Sequence, residues 1–135
     1  MIVLDSNAAV EIVRNTPKGQ ALAQLMLSGE LVLSSQLYCS EVCEILQKYA
    51  REGLIDDKIA CDYVEKALRL VDRFFEPEKY YREVLHESLR LDHPSYRLFY
   101  FCLARHENAT LFTMDKRLAA LAEREGVDCV QEVAF

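Results

Sequence analysis

Three acidic residues, far apart in the sequence, occupy positions where an α/β fold presents functional groups. Asp5 ends the apolar run of residues 1–4, and Asp115 closes the apolar segment 109–114. Ligands of open parallel sheets bind outside the carboxyl ends of the strands, so we expect both aspartates at one edge of the sheet. Glu41 falls near the packing face of a predicted helix, where a carboxylate is costly unless it is paired or bound to a cation.

Acids gathered at one edge suit a hard divalent cation. Carboxylate oxygens are preferred by Mg²⁺ and Mn²⁺, and clustered carboxylates repel one another until a cation neutralises them. Such an ion polarises a phosphate and activates a water for in-line attack. The alternative is that Asp5 and Asp115 only cap helices. Their combination with Glu41 favours the metal site.

Short apolar segments alternate with helical patterns along the sequence. Strands are predicted at residues 2–4, 31–34, 110–113 and 127–131. Helices are predicted at residues 7–15, 17–28, 36–51, 57–74 (capped by Asp56 and Asp57), 77–91, from 94 through the apolar stretch 98–104, and from the cap Asp115 to 125. This alternation predicts a parallel sheet covered by helices on both faces.

The composition is that of a soluble globular protein. The 135 residues predict one domain over 1–135, with 51% apolar and 28% charged residues. No apolar run approaches the ~20 residues of a membrane span, and the first residues do not resemble a signal peptide, so we expect a cytosolic protein without a membrane partner. A net charge of -6 argues against nucleic-acid binding by counterion release alone.

The five cysteines do not form a recognisable metal or disulfide framework. They are Cys39, Cys43, Cys61, Cys102 and Cys129. A zinc site on the first two would need two further ligands, and none of the three histidines has a matching spacing. We therefore predict small, reduced, partly buried thiols.

Four segments, in order, resemble one known family. Residues 2–7 resemble the opening strand of PIN domains, especially the VapC-type toxins of bacterial and archaeal toxin–antitoxin pairs. Residues 40–42 are similar to the family's glutamate helix, 93–104 to its late helix, and 110–118 to its final acidic segment. The resemblance implies a PIN-like three-layer α/β sandwich, with a parallel sheet of four to five strands between helices.

The resemblance also implies an activity and a site. The expected activity is Mg²⁺- or Mn²⁺-dependent hydrolysis of RNA, with Asp5, Glu41 and Asp115 as catalytic, metal-binding acids. Three further residues would support these acids by hydrogen bonds or through water: Ser6, Asn7 and Thr113. The family likewise implies a homodimer and an antitoxin partner that inserts a segment into the acidic groove.

One position departs from the family pattern. The late helix usually carries an aspartate where this chain has Arg97. Arginine cannot ligate a cation, and three interpretations remain open. Arg97 pairs with Asp5 or Asp115 and replaces the metal, or it holds the scissile phosphate beside three acids and one ion, or its head extends to water. Asp92 would substitute for the missing acid, or else cap the following helix.

Basic side chains near these segments are candidates for RNA-backbone contacts: Lys48, Arg51, Lys116 and Arg117. Glu44, one turn beyond Glu41, either joins the acidic cluster or faces solvent, and solvent is the expectation.

The competing function is a binding module, a degenerate PIN domain that binds RNA or protein without cleavage. Two other α/β classes fit less well. A haloacid-dehalogenase-type phosphatase needs a second aspartate where this chain has Asn7. A phosphoacceptor receiver needs a mid-chain aspartate at a strand end, whereas Asp56 and Asp57 lie between predicted helices.

Overall fold

The computed structural model describes residues 1–26 and 29–130. Its strands are β1 (Ile2–Leu4), β2 (Val32–Ser35), β3 (Arg73–Phe75), β4 (Thr110–Phe112) and β5 (Cys129–Val130). Its α-helices are α1 (Ser6–Val13), α2 (Pro17–Leu25), α3 (Leu37–Arg51), α4 (Asp57–Arg69), α5 (Tyr81–Leu91), α6 (Ser95–Glu107) and α7 (Lys116–Arg124), with a short 3-10 helix at Pro77–Lys79.

The strands form one parallel sheet in the order β3-β2-β1-β4-β5. The first strand is therefore central, and Ile2 lies opposite Val32 on one side and Thr110 on the other. All of β1 is buried, as expected for a parallel strand covered on both faces. The predicted α/β class, with a parallel sheet of four to five strands flanked by helices, is confirmed.

The late helix α6 forms the centre of the core. Its middle was predicted to be buried on most sides, and Leu98, Phe101 and Leu103 are 0%, 0% and 1% exposed. The helix packs against β1, β2 and β4. Because burial of one such side chain contributes about 1.5–3 kcal/mol, this apolar helix fixes the position of Arg97 at its start.

Local signals at helix ends agree with the sequence. Asp56 caps α4 by accepting a hydrogen bond from the Ile59 amide at 2.7 Å. Thr16 caps α2 in the same way through the Gly19 amide at 3.0 Å, and Pro17 occupies the first helical position. Gly53 follows α3 with φ +76°, a left-handed conformation that glycine adopts without strain.

One strand was missed. The sequence predicted a helix as far as residue 74, but α4 ends at Arg69 and residues 73–75 form the edge strand β3. The Asp72 carboxylate accepts a hydrogen bond from the Val32 amide at 2.8 Å, and Phe75 is buried. These tertiary contacts make residues 73–75 a strand although the sequence continues a helical pattern. A strand of three residues is too short to show its own pattern in the sequence.

Other boundaries differ by a few residues. The helix predicted at 77–91 is divided into the 3-10 helix and α5. The strand predicted at 31–34 is displaced by one residue, and the helix capped by Asp115 ends at Arg124. The predicted end of α2 at residues 27–28 and the last strand residue, 131, lie outside the described residues.

Asp92 does not cap the following helix. It ends α5 with φ 50° and ψ 52°. The residue that precedes α6 is Pro94, and no side chain there forms a capping hydrogen bond with the helix. Aspartate tolerates this left-handed conformation better than most residues. Asp92 therefore terminates α5 and does not cap the start of α6.

The thiols are more exposed than predicted. Three of the five cysteines, Cys39, Cys43 and Cys61, are exposed, Cys102 is buried and Cys129 is intermediate; all five are free. Of the exposed thiols, Cys39 and Cys43 lie on α3 and Cys61 lies on α4. In the described ranges, no helix is long and apolar enough to cross a membrane.

Candidate functional site

The sequence-predicted acids lie near the carboxyl edge of the sheet. Strands β2 and β3 lie on one side of β1, and β4 and β5 lie on the other, so the strand order reverses between β1 and β4. Asp5 follows β1 directly, and Thr113 follows β4 directly. Ligands of open α/β sheets bind in the crevice formed at such a reversal, which makes this point the candidate site.

Asp5 is both a helix cap and a member of the site. Its side chain is 0% exposed. One oxygen, Oδ1, accepts a hydrogen bond from the Ala8 amide at 2.8 Å, and the other accepts from the Thr113 hydroxyl. Burial raises the pKa of Asp5 to about 6 even though both hydrogen bonds lower it; the Arg97 charge lowers it further and the Glu41 charge raises it.

The side chain of Glu41 forms a hydrogen bond with a residue of α1. The Ser6 hydroxyl donates a hydrogen bond to Glu41 Oε1 at 3.0 Å. The second oxygen, Oε2, is buried and has no hydrogen-bond partner among the described residues. Burial raises the pKa of Glu41, while Ser6, Tyr100 and Arg97 lower it. When ionised, this oxygen can only accept, so it requires a donor, such as the neighbouring Tyr100 hydroxyl, or a cation.

Asp115 forms capping hydrogen bonds and an ion pair. As the cap of α7, its Oδ1 accepts hydrogen bonds from the Arg117 amide at 2.9 Å and the Leu118 amide at 3.1 Å. Its other oxygen, Oδ2, lies 3.3 Å from Arg97 Nε. The helix-cap interpretation of Asp5 and Asp115 is therefore correct, and it does not exclude a second role for either residue.

Arg97 lies inside the site. Its side chain is 20% exposed, and its guanidinium lies 5.2 Å from the centre of the Tyr96 ring. With the Asn7 amide oriented so that its oxygen faces the guanidinium, Asn7 accepts hydrogen bonds from Nη1 at 2.5 Å and Nη2 at 3.1 Å. The ion pair with Asp115 was one of the three predicted arrangements, and the arrangement with the head extended into water does not occur.

The predicted supporting residues make separate contacts. Thr113 contacts Asp5, Ser6 contacts Glu41, and Asn7 contacts Arg97 instead of an acid. Sequence reasoning missed Tyr100, whose buried hydroxyl lowers the pKa of Glu41. Its position three residues after Arg97 on one helix was the available signal, because residues three apart share a helix face.

The residues fit one divalent cation only in part. Glu41 offers an unpaired buried oxygen, and Asp5 is a buried carboxylate whose pKa is raised, so hard oxygen donors are present. Asp115 is engaged by Arg97 and by α7. In the part of the chain that the structure describes, no three histidine, cysteine, aspartate or glutamate side chains lie together as a metal-binding group. The available donor set is Asp5 and Glu41.

The basic candidates lie on the surface near two helix ends. Lys48 and Arg51 are exposed in the last turn of α3, and Lys116 and Arg117 are exposed in the first turn of α7. Arg117 Nη2 donates a hydrogen bond to the Asp92 carbonyl at 2.6 Å. Glu44 is exposed, as expected.

Comparison with known proteins identifies the fold family. The sequence model of the PIN domain matches residues 2–124, which include the whole site. The chain belongs to the PIN domain family. PIN domains are generally metal-dependent nucleases, and membership therefore indicates a nuclease-type function. No curated protein sequence matched the chain.

A solved structure has the same fold as this PIN domain. The crystal structure of PAE2754 from Pyrobaculum aerophilum superimposes with a TM-score of 0.72 and covers 88% of this chain and 82% of that one. The two sequences are 20% identical. Similarity at this level supports the PIN architecture, including the parallel sheet, and the site must be argued from this chain's own residues.

Proposed function

We propose that this PIN domain is a VapC-like endoribonuclease, the toxin component of a toxin–antitoxin pair, that hydrolyses RNA with one Mg²⁺ or Mn²⁺ ion held by Asp5 and Glu41. The proposal refines the nuclease-type function of the family by naming the substrate and the ligands. It includes Asp115 as an indirect member of the site, since this acid positions Arg97.

One observation carries the proposal. The buried carboxylate of Asp5 and the partly buried carboxylate of Glu41 interact electrostatically, and along residues 1–26 and 29–130 the ion pairs of basic groups include neither Asp5 nor Glu41. Buried carboxylates without a cation are costly. Mg²⁺ is commonly bound by one or two carboxylates, with water and substrate phosphate completing its coordination.

The chain's own residues orient this pair. The Ala8 amide and the Thr113 hydroxyl fix both oxygens of Asp5, and Ser6 fixes one oxygen of Glu41. When bound, the ion would polarise a phosphodiester and lower the pKa of a bound water. A carboxylate held on both sides keeps its orientation without further ordering when substrate arrives, which favours catalysis.

Arg97 supplies positive charge for the phosphate. Its guanidinium carries five donors in a fixed fork, and Asp115 and Asn7 hold that fork at the edge of the acidic pair. Arginine recognises phosphate through two parallel hydrogen bonds. In this role Arg97 neutralises the scissile phosphodiester beside Asp5 and Glu41, which would otherwise repel it.

A second candidate function is supported by the same arginine. The Arg97–Asp115 ion pair occupies the position of an expected metal-binding acid and removes one ligand from the group. A PIN domain with this substitution would bind RNA or a protein partner through its acidic edge without cleaving RNA. This candidate and the nuclease differ in two measurable properties, RNA cleavage and the affinity of the wild-type chain for a divalent cation.

The first experiment measures cleavage. The purified protein is incubated with a defined single-stranded RNA in Mn²⁺ or in chelator, and Asp5→Asn serves as the inactive variant. The nuclease proposal expects cleavage that requires the ion and is lost in the variant. Cleavage that persists in Asp5→Asn would point to a contaminating nuclease and contradict the proposal.

The second experiment measures metal binding without activity. Calorimetric titration with Mn²⁺ compares the wild type, Glu41→Gln and Arg97→Asp. The nuclease proposal expects binding by the wild type that is lost in Glu41→Gln. An inert wild type that binds no ion, together with binding and cleavage by Arg97→Asp, would establish the degenerate module instead.

We also propose a homodimer and an antitoxin partner in the cytosol. We propose that a basic side chain from a segment of the antitoxin pairs with Glu41 and Asp5. Four exposed basic residues are proposed to contact the RNA backbone: Lys48, Arg51, Lys116 and Arg117. Co-expression with the product of an adjacent reading frame, followed by co-purification, tests the antitoxin.

A further inference from the structure

An open pocket of about 390 Å³ lies beside the acidic site. Its mouth is shared with the site, because Asn7, Arg97 and Asp115 line both. A phosphate held by Arg97 would therefore place the neighbouring nucleotide at the pocket. The volume falls within the usual range of small-ligand sites, about 300–1,000 Å³.

The pocket walls suit a flat aromatic ring. They are formed by Val10 of α1, Ile45 and Tyr49 of α3, and Met114. The Arg14 guanidinium lies over the Tyr49 ring, 4.4 Å from its centre, and this contact helps to fix the orientation of the ring. The same ring lines the pocket. Aromatic and thioether side chains are favourable surfaces for stacking of a nucleobase.

One wall residue is charged. Glu11 of α1 lines the pocket, and its carboxylate accepts a hydrogen bond from the Thr16 hydroxyl. That bond orients the side chain and leaves further acceptor capacity on the two carboxylate oxygens, which have about four lone-pair positions. A carboxylate among apolar walls selects a ligand with hydrogen-bond donors.

We propose that this pocket binds a guanine base of the RNA next to the scissile phosphate, with Glu11 as the residue that determines specificity. Guanine carries two adjacent donors on its Watson–Crick edge, N1–H and the N2 amino group, which match the two oxygens of one carboxylate. The inference rests on the proposed cleavage of RNA at Asp5 and Glu41, since that function defines which phosphate is cut.

The other bases match less well. Adenine presents an acceptor, N1, beside its amino group, and this acceptor would face the negative carboxylate. Cytosine and uracil each present one donor on the same edge. A bidentate pair typically discriminates by 1–3 kcal/mol between bases, which corresponds to about 5- to 150-fold in affinity.

The test measures nucleotide binding in chelator, so that neither metal nor cleavage contributes. Backbone amide NMR shifts are followed while the wild-type chain is titrated with each of the four ribonucleoside 5′-monophosphates. We expect guanosine monophosphate to bind at least about 5-fold more tightly than adenosine monophosphate. Glu11→Gln should abolish this preference, because the amide replaces one acceptor with a donor. It retains the oxygen that accepts from Thr16.

Two further variants complete the experiment. Tyr49→Ala should weaken all four nucleotides by about 5-fold or more, since stacking does not depend on base identity. Glu52→Gln, an exposed glutamate that ends α3 and does not line the pocket, is the matched control and should keep the wild-type preference. Equal binding of the guanine and adenine nucleotides by the wild type, absence of binding by all four, or a guanine preference that survives in Glu11→Gln each overturns the proposal.

Cleavage mapping separates this inference from the proposed function. RNA cut without guanine enrichment beside the cut sites would contradict the pocket assignment and leave the nuclease proposal intact. A guanine preference in the binding assay, in a protein that cleaves no RNA, would leave the pocket intact and contradict the nuclease proposal.

Discussion

At the scale of single residues, Asp5 combines two roles with opposite energetic consequences. As a cap it satisfies the Ala8 amide, which stabilises the start of α1. As a fully buried carboxylate without a cation in contact it destabilises the fold when ionised. Its position is thus better for binding a positive ligand than for the stability of the free protein.

The first prediction concerns Asp5→Asn in chelator. The folded-state pKa of Asp5, about 6, lies above its ordinary value of 3.8. The folded protein therefore holds a proton that the unfolded chain releases, and the cost of ionisation grows as pH rises from about 4 to 6 and remains above it. The variant should be more stable than the wild type by about 1–3 kcal/mol at pH 8, as measured by urea unfolding.

At pH 4, where Asp5 is protonated in the folded state, this advantage should disappear. Saturating Mn²⁺ at pH 8 should reverse the order, because only the wild type gains from ion binding. A variant that is less stable than the wild type in chelator at pH 8 would show that capping and hydrogen bonding outweigh the buried charge.

At the scale of elements, an ion-pair network joins α5, α6 and the end of α7. Glu87, whose side chain is 8% exposed, pairs with Arg90 and lies 3.7 Å from Arg105 Nη1. Arg90 also pairs with Glu125, and Arg105 pairs with Glu83. The network therefore connects the helix that carries Arg97 with the helix that Asp115 caps.

The second prediction is the effect of Glu87→Gln on stability. The hydrogen bond from Arg90 lowers the pKa of Glu87 below its ordinary 4.5. The stabilisation is therefore complete above about pH 4.5 and is lost as pH falls through the lowered folded-state pKa. The variant should lose about 1–2 kcal/mol at pH 7 and little at pH 3, measured by thermal unfolding.

Glu65→Gln is the matched control for this network. Glu65 pairs with Arg69 on α4, but its side chain is 68% exposed. The control should lose less than about 0.5 kcal/mol. Equal losses in the two variants would show that the burial of Glu87 adds nothing to its pairing.

The third prediction tests the contact between α1 and α2. A Cβ atom added at Gly19 would lie 1.9 Å from the carbonyl oxygen of Glu11, and backbone cannot rotate away as a side chain can. Gly19→Ala should therefore separate the helices and cost about 3 kcal/mol or more. Gly53→Ala, where the added atom meets nothing within 4 Å, should cost only the roughly 1–2 kcal/mol of its left-handed backbone. Similar losses at the two positions in urea unfolding would contradict this view of the helix contact.

At the scale of the whole molecule, the sequence predicts the layers well and some of the contacts poorly. The apolar runs of β1, β2 and β4 and the all-apolar middle of α6 identify buried elements, because few other environments accept them. The strand β3 was missed because Arg73 and two aromatic residues continue a helical pattern, and only the pairing with β2 makes them a strand.

The approximate position of the site was also predictable from the sequence. Asp5 and Asp115 follow strands, and strand ends converge in parallel sheets. The sequence predicted that Arg97 pairs with Asp5 or Asp115, because both carry the opposite charge. Only the three-dimensional geometry shows that the partner is Asp115. Glu11 and Tyr49 were not predicted as a site because their shared pocket is formed by two helices that are distant in sequence.

The fourth prediction concerns association of two copies. Three exposed apolar residues recur every four positions on α5: Tyr81, Leu85 and Leu89, which are 54%, 56% and 77% exposed. Antiparallel packing of α5 against the same helix of a second copy would bring Tyr81 to Leu89 and Leu85 to its counterpart, as an isologous dimer requires. Leu89→Glu should convert the proposed homodimer to a monomer in light scattering after gel filtration.

The thermal unfolding midpoint measured for the monomeric variant shows whether its fold is retained. Lys79→Glu, an exposed change of charge in the preceding 3-10 helix, is the control and should remain dimeric. A wild-type chain that is monomeric at all concentrations would contradict the proposed interface and the homodimer together.

The central position of β1 has a consequence for the order in which the protein is made. Strand β1 is made before its neighbour β4, and Asp5 accepts a hydrogen bond from Thr113, a residue 108 positions later. Until that residue emerges, one edge of β1 lacks its neighbour and the acidic centre is incomplete. If the proposed nuclease function is correct, a chain that terminates before Thr113 would be inactive, and the proposed toxicity would begin only after this residue has been made.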